Sequence, residues 1–231
     1  MIFAFTSDIH IPMYARDAYH MLTLPLPKID VLFIAGDLTK KAVYQPFIEW
    51  YEKMMHVWKP SLVIAVWGNA DKEPVRKHLP KALPDIIFLE DETYTLGNFT
   101  IIGTEGVLDR PTSWQMRNIP DIQERYEKRI EWIKQAVKEA KTPYTILLSH
   151  YGVCGNTIEE THDKGGLTSM RLCDALRDNP PTITIHGHSH HARVWKTENP
   201  FLIYNVALPI HGKPLLIDAD TLEEVQVGLF A

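Results

Sequence analysis

The chain has 231 residues, 45% of them apolar, and a formal charge of −5. That length suits one large domain better than two small ones, and the apolar share is enough for a sizeable core. Net negative charge argues against a broadly basic nucleic-acid surface, and no apolar stretch approaches the length needed to cross a membrane. No basic segment leads into a long apolar one near Met1, so a cleaved secretory signal is not expected. Two cysteines, Cys154 and Cys173, do not suggest a disulfide scaffold. A single bridge stays open, but two reduced thiols in a cytoplasmic protein are the simpler account.

Residues 2–5 read as a first strand, with Asp8-Ile9-His10 in the loop leaving it. Residues 30–35 are almost continuously apolar, which suits a strand covered on both faces, and Gly36-Asp37 stops them. Residues 41–58 carry helical spacing through Val43, Phe47, Tyr51, Met54 and Trp58, and Pro60 ends it. Residues 62–67 form the next apolar run, closed by Gly68-Asn69. The first third therefore reads strand, helix, strand, helix, strand, with parallel pairing and right-handed crossovers expected.

The middle of the chain changes character. Residues 86–89, 93–96 and 99–103 are short strand runs, and Gly97-Asn98 predicts a hairpin turn between the last two. Residues 106–120 show no clear period and read as a long loop. Residues 121–140 carry the clearest helical stripe, with Ile122, Tyr126, Ile130, Ile133 and Val137 on one face. Residues 145–148 are another buried strand, ending at Ser149-His150. A polar loop over residues 152–166 precedes a short helix at 167–176. Residues 182–185 lead as a strand into His186-Gly187-His188-Ser189-His190. The tail reads as strands at 192–196, 201–205, 214–219 and 222–228, with a turn at Asp218-Ala219-Asp220. No repeat, low-complexity segment or linker interrupts this pattern, so one mixed α/β domain over residues 1–231 is expected.

Seven potential metal ligands stand close to the ends of these apolar runs: Asp8, His10, Asp37, Asn69, His150, His188 and His190. Backbone fixed by a sheet holds ligands to the tolerance that metal geometry demands. Asp8 and His10 are two apart, so in an extended segment both side chains can meet one ion. His188 and His190 share that spacing and can serve one ion each or the same one. Asp37 has two oxygens with which to bridge two ions, and Asn69 adds a neutral amide oxygen. Carboxylate plus imidazole suits manganese, iron, nickel, cobalt or zinc better than a pure magnesium or calcium site, with manganese favoured. Two ions roughly 3.5–4 Å apart lower the pKa of a bridging water, aim the resulting hydroxide at phosphorus and neutralise the equatorial oxygens.

In these motifs the chain resembles the calcineurin-like metallophosphoesterase superfamily: Asp8-Ile9-His10, Gly36-Asp37, Gly68-Asn69-Ala70-Asp71, Ser149-His150 and Gly187-His188-Ser189-His190, in the family's order and across nearly the whole chain. The resemblance implies a two-sheet mixed β-sandwich flanked by helices, a four-layer arrangement with metals at the sheet edges. It implies that Asp8, His10 and His190 hold one ion and Asn69, His150 and His188 the other, with Asp37 between them. One position departs. Where the family commonly has a histidine that helps the leaving group, this chain has Ala70, which leaves Asp71 without that partner. General-acid help is worth about 10²–10⁴-fold, so substrates needing less protonation are expected, or a proton from elsewhere: His162, His191 or His211. Relatives lacking this histidine include broad diesterases, which favours phosphodiester hydrolysis of small or nucleotide-like substrates. Phosphomonoester hydrolysis is the alternative, with nuclease activity and a non-catalytic protein-binding scaffold ranked lower.

Other residues carry weaker expectations. Asp71, Arg110, Arg117 and Arg125 can reach a phosphate, although an ordinary salt-bridged surface accounts for the arginines. Trp114 can stack on an aromatic leaving group, Tyr151 can line the cleft, and His186 reads as a packed residue ending its strand. Lys164-Gly165-Gly166 lacks a nucleotide-loop pattern. A small-molecule phosphoester is the expected partner, membrane and nucleic acid are not, and homo-oligomer formation stays open.

Overall fold

The structure is a computed structural model, and it describes residues 1–155, 157–158 and 166–226. It opens with β1 (Ile2–Thr6), α1 (Ala15–Met21), β2 (Val31–Ala35), α2 (Gln45–Val57), β3 (Leu62–Val66), α3 (Glu73–Ala82) and β4 (Ile86–Leu89). The hairpin β5 (Glu92–Leu96) and β6 (Phe99–Thr104) follows, then α4 (Ser113–Asn118), α5 (Ile122–Glu139) and β7 (Tyr144–Ser149). Short strands β8 (Gly152–Val153) and β9 (Thr168–Ser169) lead to α6 (Met170–Leu176) and β10 (Ile183–His186). The described chain closes with β11 (Lys196–Thr197), β12 (Ile203–Asn205), α7 (Leu208–His211) and β13 (Leu215–Asp218).

Two sheets result, in the orders β13-β1-β2-β3-β4 and β11-β12-β10-β7-β6-β5, with β8 and β9 paired separately. The strands β1 to β4 pair in parallel, as do β6, β7, β10 and β12. Alternation along β1 shows why the runs look continuously apolar: Phe3 and Phe5 enter the core between the sheets, while Ala4 faces the helices. The inter-sheet core stacks Phe3, Phe5, Phe33 and Phe99 against Ile101, Ile146, Leu148 and Ile185. Outside the first sheet, α1, α2 and α3 bury Met21, Trp50, Met54 and Leu79. Outside the second, Tyr126, Ile130, Ile133 and Val137 of α5 pack with Leu172 and Leu176 of α6. The layers are thus helices, sheet, sheet, helices, as the family resemblance implies.

Parallel pairing places the C-terminal ends of β1, β2 and β3 along one edge of the first sheet, and those of β7 and β10 along one edge of the second. A bridge between Ser7 and Ala207 joins the two sheets there. In open α/β sheets that edge is where ligands bind.

Several expectations need correction. The stretch read as a loop at 106–120 contains α4, started by a capping box in which Thr112 and Gln115 exchange side-chain and backbone bonds. Helix α3 had not been foreseen. The tail strands are shorter than expected: of the 192–196 run only Lys196 is in a strand, β11, and from 222 onward the described residues carry one bridge, between Ile217 and Glu224. Cys154 and Cys173 form a disulfide rather than two thiols. Pairing of β8 with β9 brings Cys154, just beyond β8, against α6, which begins directly after β9. The bridge removes reduced thiols from the argument for a cytoplasmic setting. No helix among the described residues is long and apolar enough to cross a membrane.

Candidate metal centre

All seven sequence-predicted ligands converge at the shared sheet edge. Asp8, His10 and His190 form one group and Asp37, His150 and His188 a second, each with ligand atoms within 4.8 Å of one another. Asn69 joins the second group, its Oδ1 lying 3.0 Å from His150 Nε2. Asp8, His10, Asp37 and His150 are buried, whereas Asn69, His188 and His190 are half-buried and face the open side.

The backbone that aims these groups is not extended. Asp8, His10, Asp37 and His188 have φ of 55°, 45°, 53° and 67°. The left-handed region is costly for residues other than glycine, and such residues cluster at functional sites. Two side chains two apart therefore reach one place through a tight turn, not through the strand alternation expected for Asp8 and His10. The motif glycines follow from close approach. A Cβ at Gly68 would collide with the Asp37 carboxylate, and one at Gly187 with Asp8.

Each carboxylate divides its work between its two oxygens. Asp8 Oδ2 accepts from the Ser7 hydroxyl at 2.6 Å and the His188 backbone N–H at 2.9 Å, while Oδ1 faces His190 Nε2 at 2.9 Å and His10 Nε2 at 3.7 Å. Asp37 Oδ1 accepts from the Ala70 N–H at 2.6 Å. Asp37 Oδ2 lies 3.3 Å from His10 Nε2 and 3.5 Å from His150 Nε2, so a single oxygen touches both groups.

The imidazoles are oriented from behind. Nδ1 of His150 lies 3.0 Å from the Ala35 carbonyl, and Nδ1 of His10 lies 3.4 Å from that of Thr39. Carbonyl oxygens only accept, so these Nδ1 atoms carry protons and present Nε2 lone pairs to the cluster. His190 Nδ1 has the Tyr14 hydroxyl at 3.5 Å. With Nδ1 protonated, Nε2 of His10 and His150 faces carboxylate and amide oxygens, a geometry that either a proton or a bound cation satisfies. An oxygen partner on the outer ring nitrogen is also how proteins orient metal-binding histidines. The donor set thus fits two divalent transition ions.

Burial and mutual charge set the protonation of these groups. Burial would raise Asp8, but the hydrogen bond from His190, the His150 charge and the Ser7 hydroxyl hold it well below the usual carboxylate range. Asp37 is pushed up to about 7 by burial, with Asp71 and Asp8 pushing the same way and His150 pulling against them. Burial takes His10 down to about 4 and His188 to about 3, leaving both neutral and able to coordinate. Burial also opposes charge on His150, but Asp37 and Asp8 outweigh it and raise its pKa.

The remaining candidates divide. Asp71 borders the cavity beside Asn69, but its carboxylate is engaged in holding backbone. It is buried, and its carboxylate accepts from the backbone N–H groups of Leu38, Thr39 and Gly68 and from the Thr39 hydroxyl. It therefore ties the Asp37 loop to the Asn69 loop. Arg110 and Arg117 are exposed and do not line the cavity beside Asn69; Arg117 Nε turns back to the Ser113 carbonyl. His162 lies outside the described residues. His191 is exposed, and His211 Nε2 is 2.7 Å from the Asn205 carbonyl. His186 is buried between Thr157 and the Gly187 carbonyl, a packed residue as expected. Tyr14 and Arg76 were missed. Arg76 bonds the Gly68 and Asp71 carbonyls and Glu105. Its signal would have been the helix α3 directly after Asp71.

The family model for calcineurin-like phosphoesterases matches residues 1–192. One solved structure superposes with a TM-score of 0.65 at 11% identity, covering 98% of this chain and 99% of that one. A phosphopantetheinyl hydrolase from Mycobacterium tuberculosis superposes with a TM-score of 0.57 at 13% identity, covering 89% and 88%. These likenesses concern the fold. A 5'-nucleotidase precursor from Thermus thermophilus gives a TM-score of 0.49 at 13% identity, covering 98% of this chain but 53% of that one. No curated protein matches the sequence.

Proposed function

Because the chain belongs to the calcineurin-like phosphoesterase family, we propose that it hydrolyses phosphodiester bonds of small or nucleotide-like molecules with two divalent metal ions. The observation that carries this reading is Asp37 Oδ2, within 3.3 and 3.5 Å of imidazoles from two separate ligand groups. Asp8, His10 and His190 would hold one ion, Asn69, His150 and His188 the other, and Asp37 would serve both. When bound, the ions supply a water of lowered pKa and neutralise charge on the phosphoryl oxygens. Carboxylate and imidazole donors favour manganese.

The chain's own residues supply position. Ser7 and the His188 and Ala70 amides hold one oxygen of each carboxylate, so the other cannot turn away. Half-buried Asn69, His188 and His190 border the side from which a phosphoester enters. Ala70 supplies no proton to a departing alkoxide, which disfavours poor leaving groups; the diester reading follows from the resemblance, since relatives lacking this histidine include broad diesterases. We treat residues 1–231 as one such domain acting on a small-molecule ester, not on nucleic acid.

The test is turnover of an aryl phosphodiester and the matching monoester by chelator-stripped protein restored with manganese, nickel, cobalt or zinc. The diester is expected to be cleaved faster. Preference for the monoester with every metal would replace this reading with a phosphatase. Asp37→Ala is expected to reduce bound metal from two per chain to below one and, losing several kcal/mol of charge stabilisation, to slow turnover by about 10³-fold.

A further inference from the structure

A cavity of about 530 Å³ opens beside Asn69, walled by the starts of α3 and α5 and by α4. Such a volume lies within the range of small-molecule pockets, roughly 300–1,000 Å³. It exceeds what a phosphoryl group needs, so it has room for a whole ester arm. Its walls are distinctive. Trp114, on α4, is 51% exposed, and the Thr112–Gln115 capping box fixes the helix that presents it. Lys72 Nζ lies 4.8 Å from the Trp114 ring centroid and donates to the Asn69 carbonyl at 2.7 Å. One lysine thus links the indole to the loop carrying a metal-ligand position.

Ile119, Ile122 and Tyr126 add apolar wall to the same cavity. Gln115 donates through Nε2 to both Tyr126 and Tyr151, and Tyr151 packs edge-on to His188 at 4.9 Å. Among the described residues, four carboxylates and four basic side chains line the cavity, so its formal charge is zero. A polyanionic arm would meet Glu73, Glu90 and Glu105, whereas a neutral arm bearing hydroxyls can bond both signs. An exposed indole offers a face for stacking heteroaromatic rings.

We infer that this cavity is the subsite for a nucleoside arm of the substrate, with the base stacked on Trp114 and the sugar hydroxyls among the charged walls. This assignment rests on the phosphodiesterase reading and names its substrate class: a nucleoside-bearing phosphodiester. Trp114 is then a specificity-determining residue.

The test is calorimetric titration of manganese-loaded protein with adenosine, with ribose and with inorganic phosphate, none of which carries an ester to cleave. Adenosine is expected to bind about tenfold or more tighter than ribose. Trp114→Ala should erase that difference and Trp114→Phe should retain most of it, with phosphate affinity unchanged in both. Equal affinities for adenosine and ribose in the unaltered protein, or an adenosine preference surviving Trp114→Ala, would overturn the assignment. Turnover of an aryl diester is measured on the same preparation. Turnover without an adenosine preference removes the subsite alone, and an adenosine preference without turnover removes the esterase reading while the cavity's ligand class stands.

Discussion

Ala70 donates its backbone N–H to Asp37 Oδ1 at 2.6 Å. The residue that departs from the family pattern therefore still holds the carboxylate shared by the two ligand groups, because the contact uses no side-chain atom. Loss of the histidine side chain and integrity of the ligand cluster are separable, and this separability can be measured.

Ala70→His is expected to leave metal content at two ions per chain and to accelerate diesters with poor leaving groups by up to about 10²-fold, with less effect on good ones. Rates across a series of aryl and alkyl diesters give the comparison. Equal acceleration throughout the series would mean that a missing proton donor is not what limits this enzyme.

Asp71 holds two ligand-bearing loops together through four accepted hydrogen bonds. Asp71→Ala leaves buried donors unpaired at about 1–3 kcal/mol each. The variant should lose about 3 kcal/mol or more, and Asp71→Asn, which keeps one acceptor oxygen, less. Urea midpoints at unchanged slope report this. A loss under about 1 kcal/mol for the alanine variant would show that water replaces the carboxylate.

Metal uptake should depend on pH with a definite sign. In chelator-stripped protein Asp37 titrates near about 7, and it must be ionised to coordinate. Below that pH its proton has to leave, so affinity rises with pH up to about 7 and is then flat with respect to this group. His10 and His188, at about 4 and about 3, are already neutral and release nothing in this range, whereas His150, raised by Asp37 and Asp8, also gives up a proton. Calorimetry in buffers of different ionisation enthalpy should find more protons released at pH 6 than at pH 8. Equal release would place the proton elsewhere.

The Cys154–Cys173 bridge closes a segment with a sequence separation of 19. A loop of that size is worth about 3 kcal/mol in chain entropy. Cys154→Ser with Cys173→Ser should lower unfolding free energy by about that amount, and thiol titration of the unreduced, denatured protein should find no free thiol. Two free thiols would restore the sequence-based expectation.

The mixed α/β character was legible because its cause is local: apolar runs ending in Gly-Asp, Gly-Asn or Ser-His alternate with helical stripes; the two-sheet layering came from the family resemblance. Helix α4 reads as a loop in the sequence because weak periodicity hides it, although Thr112-x-x-Gln115 is a capping pattern. The loop-tying role of Asp71 was not legible because it lies in four donors from three other residues, none of which sequence spacing reveals. Arg76, Tyr14 and the cysteine pair were missed or misread for the same reason.

By itself the sequence determined which residue types stand at the strand ends, and hence that carboxylates and imidazoles would gather at one sheet edge. Only the tertiary structure decided that Asp37 Oδ2 lies between two imidazoles, that Asp71 ties two ligand-bearing loops together, and that Trp114 overlooks a cavity beside Asn69. The physical reason is reach. Strand pattern and composition act along the chain, whereas left-handed turns at Asp8, His10, Asp37 and His188 aim side chains across it, and they persist only because packing from both sheets holds them.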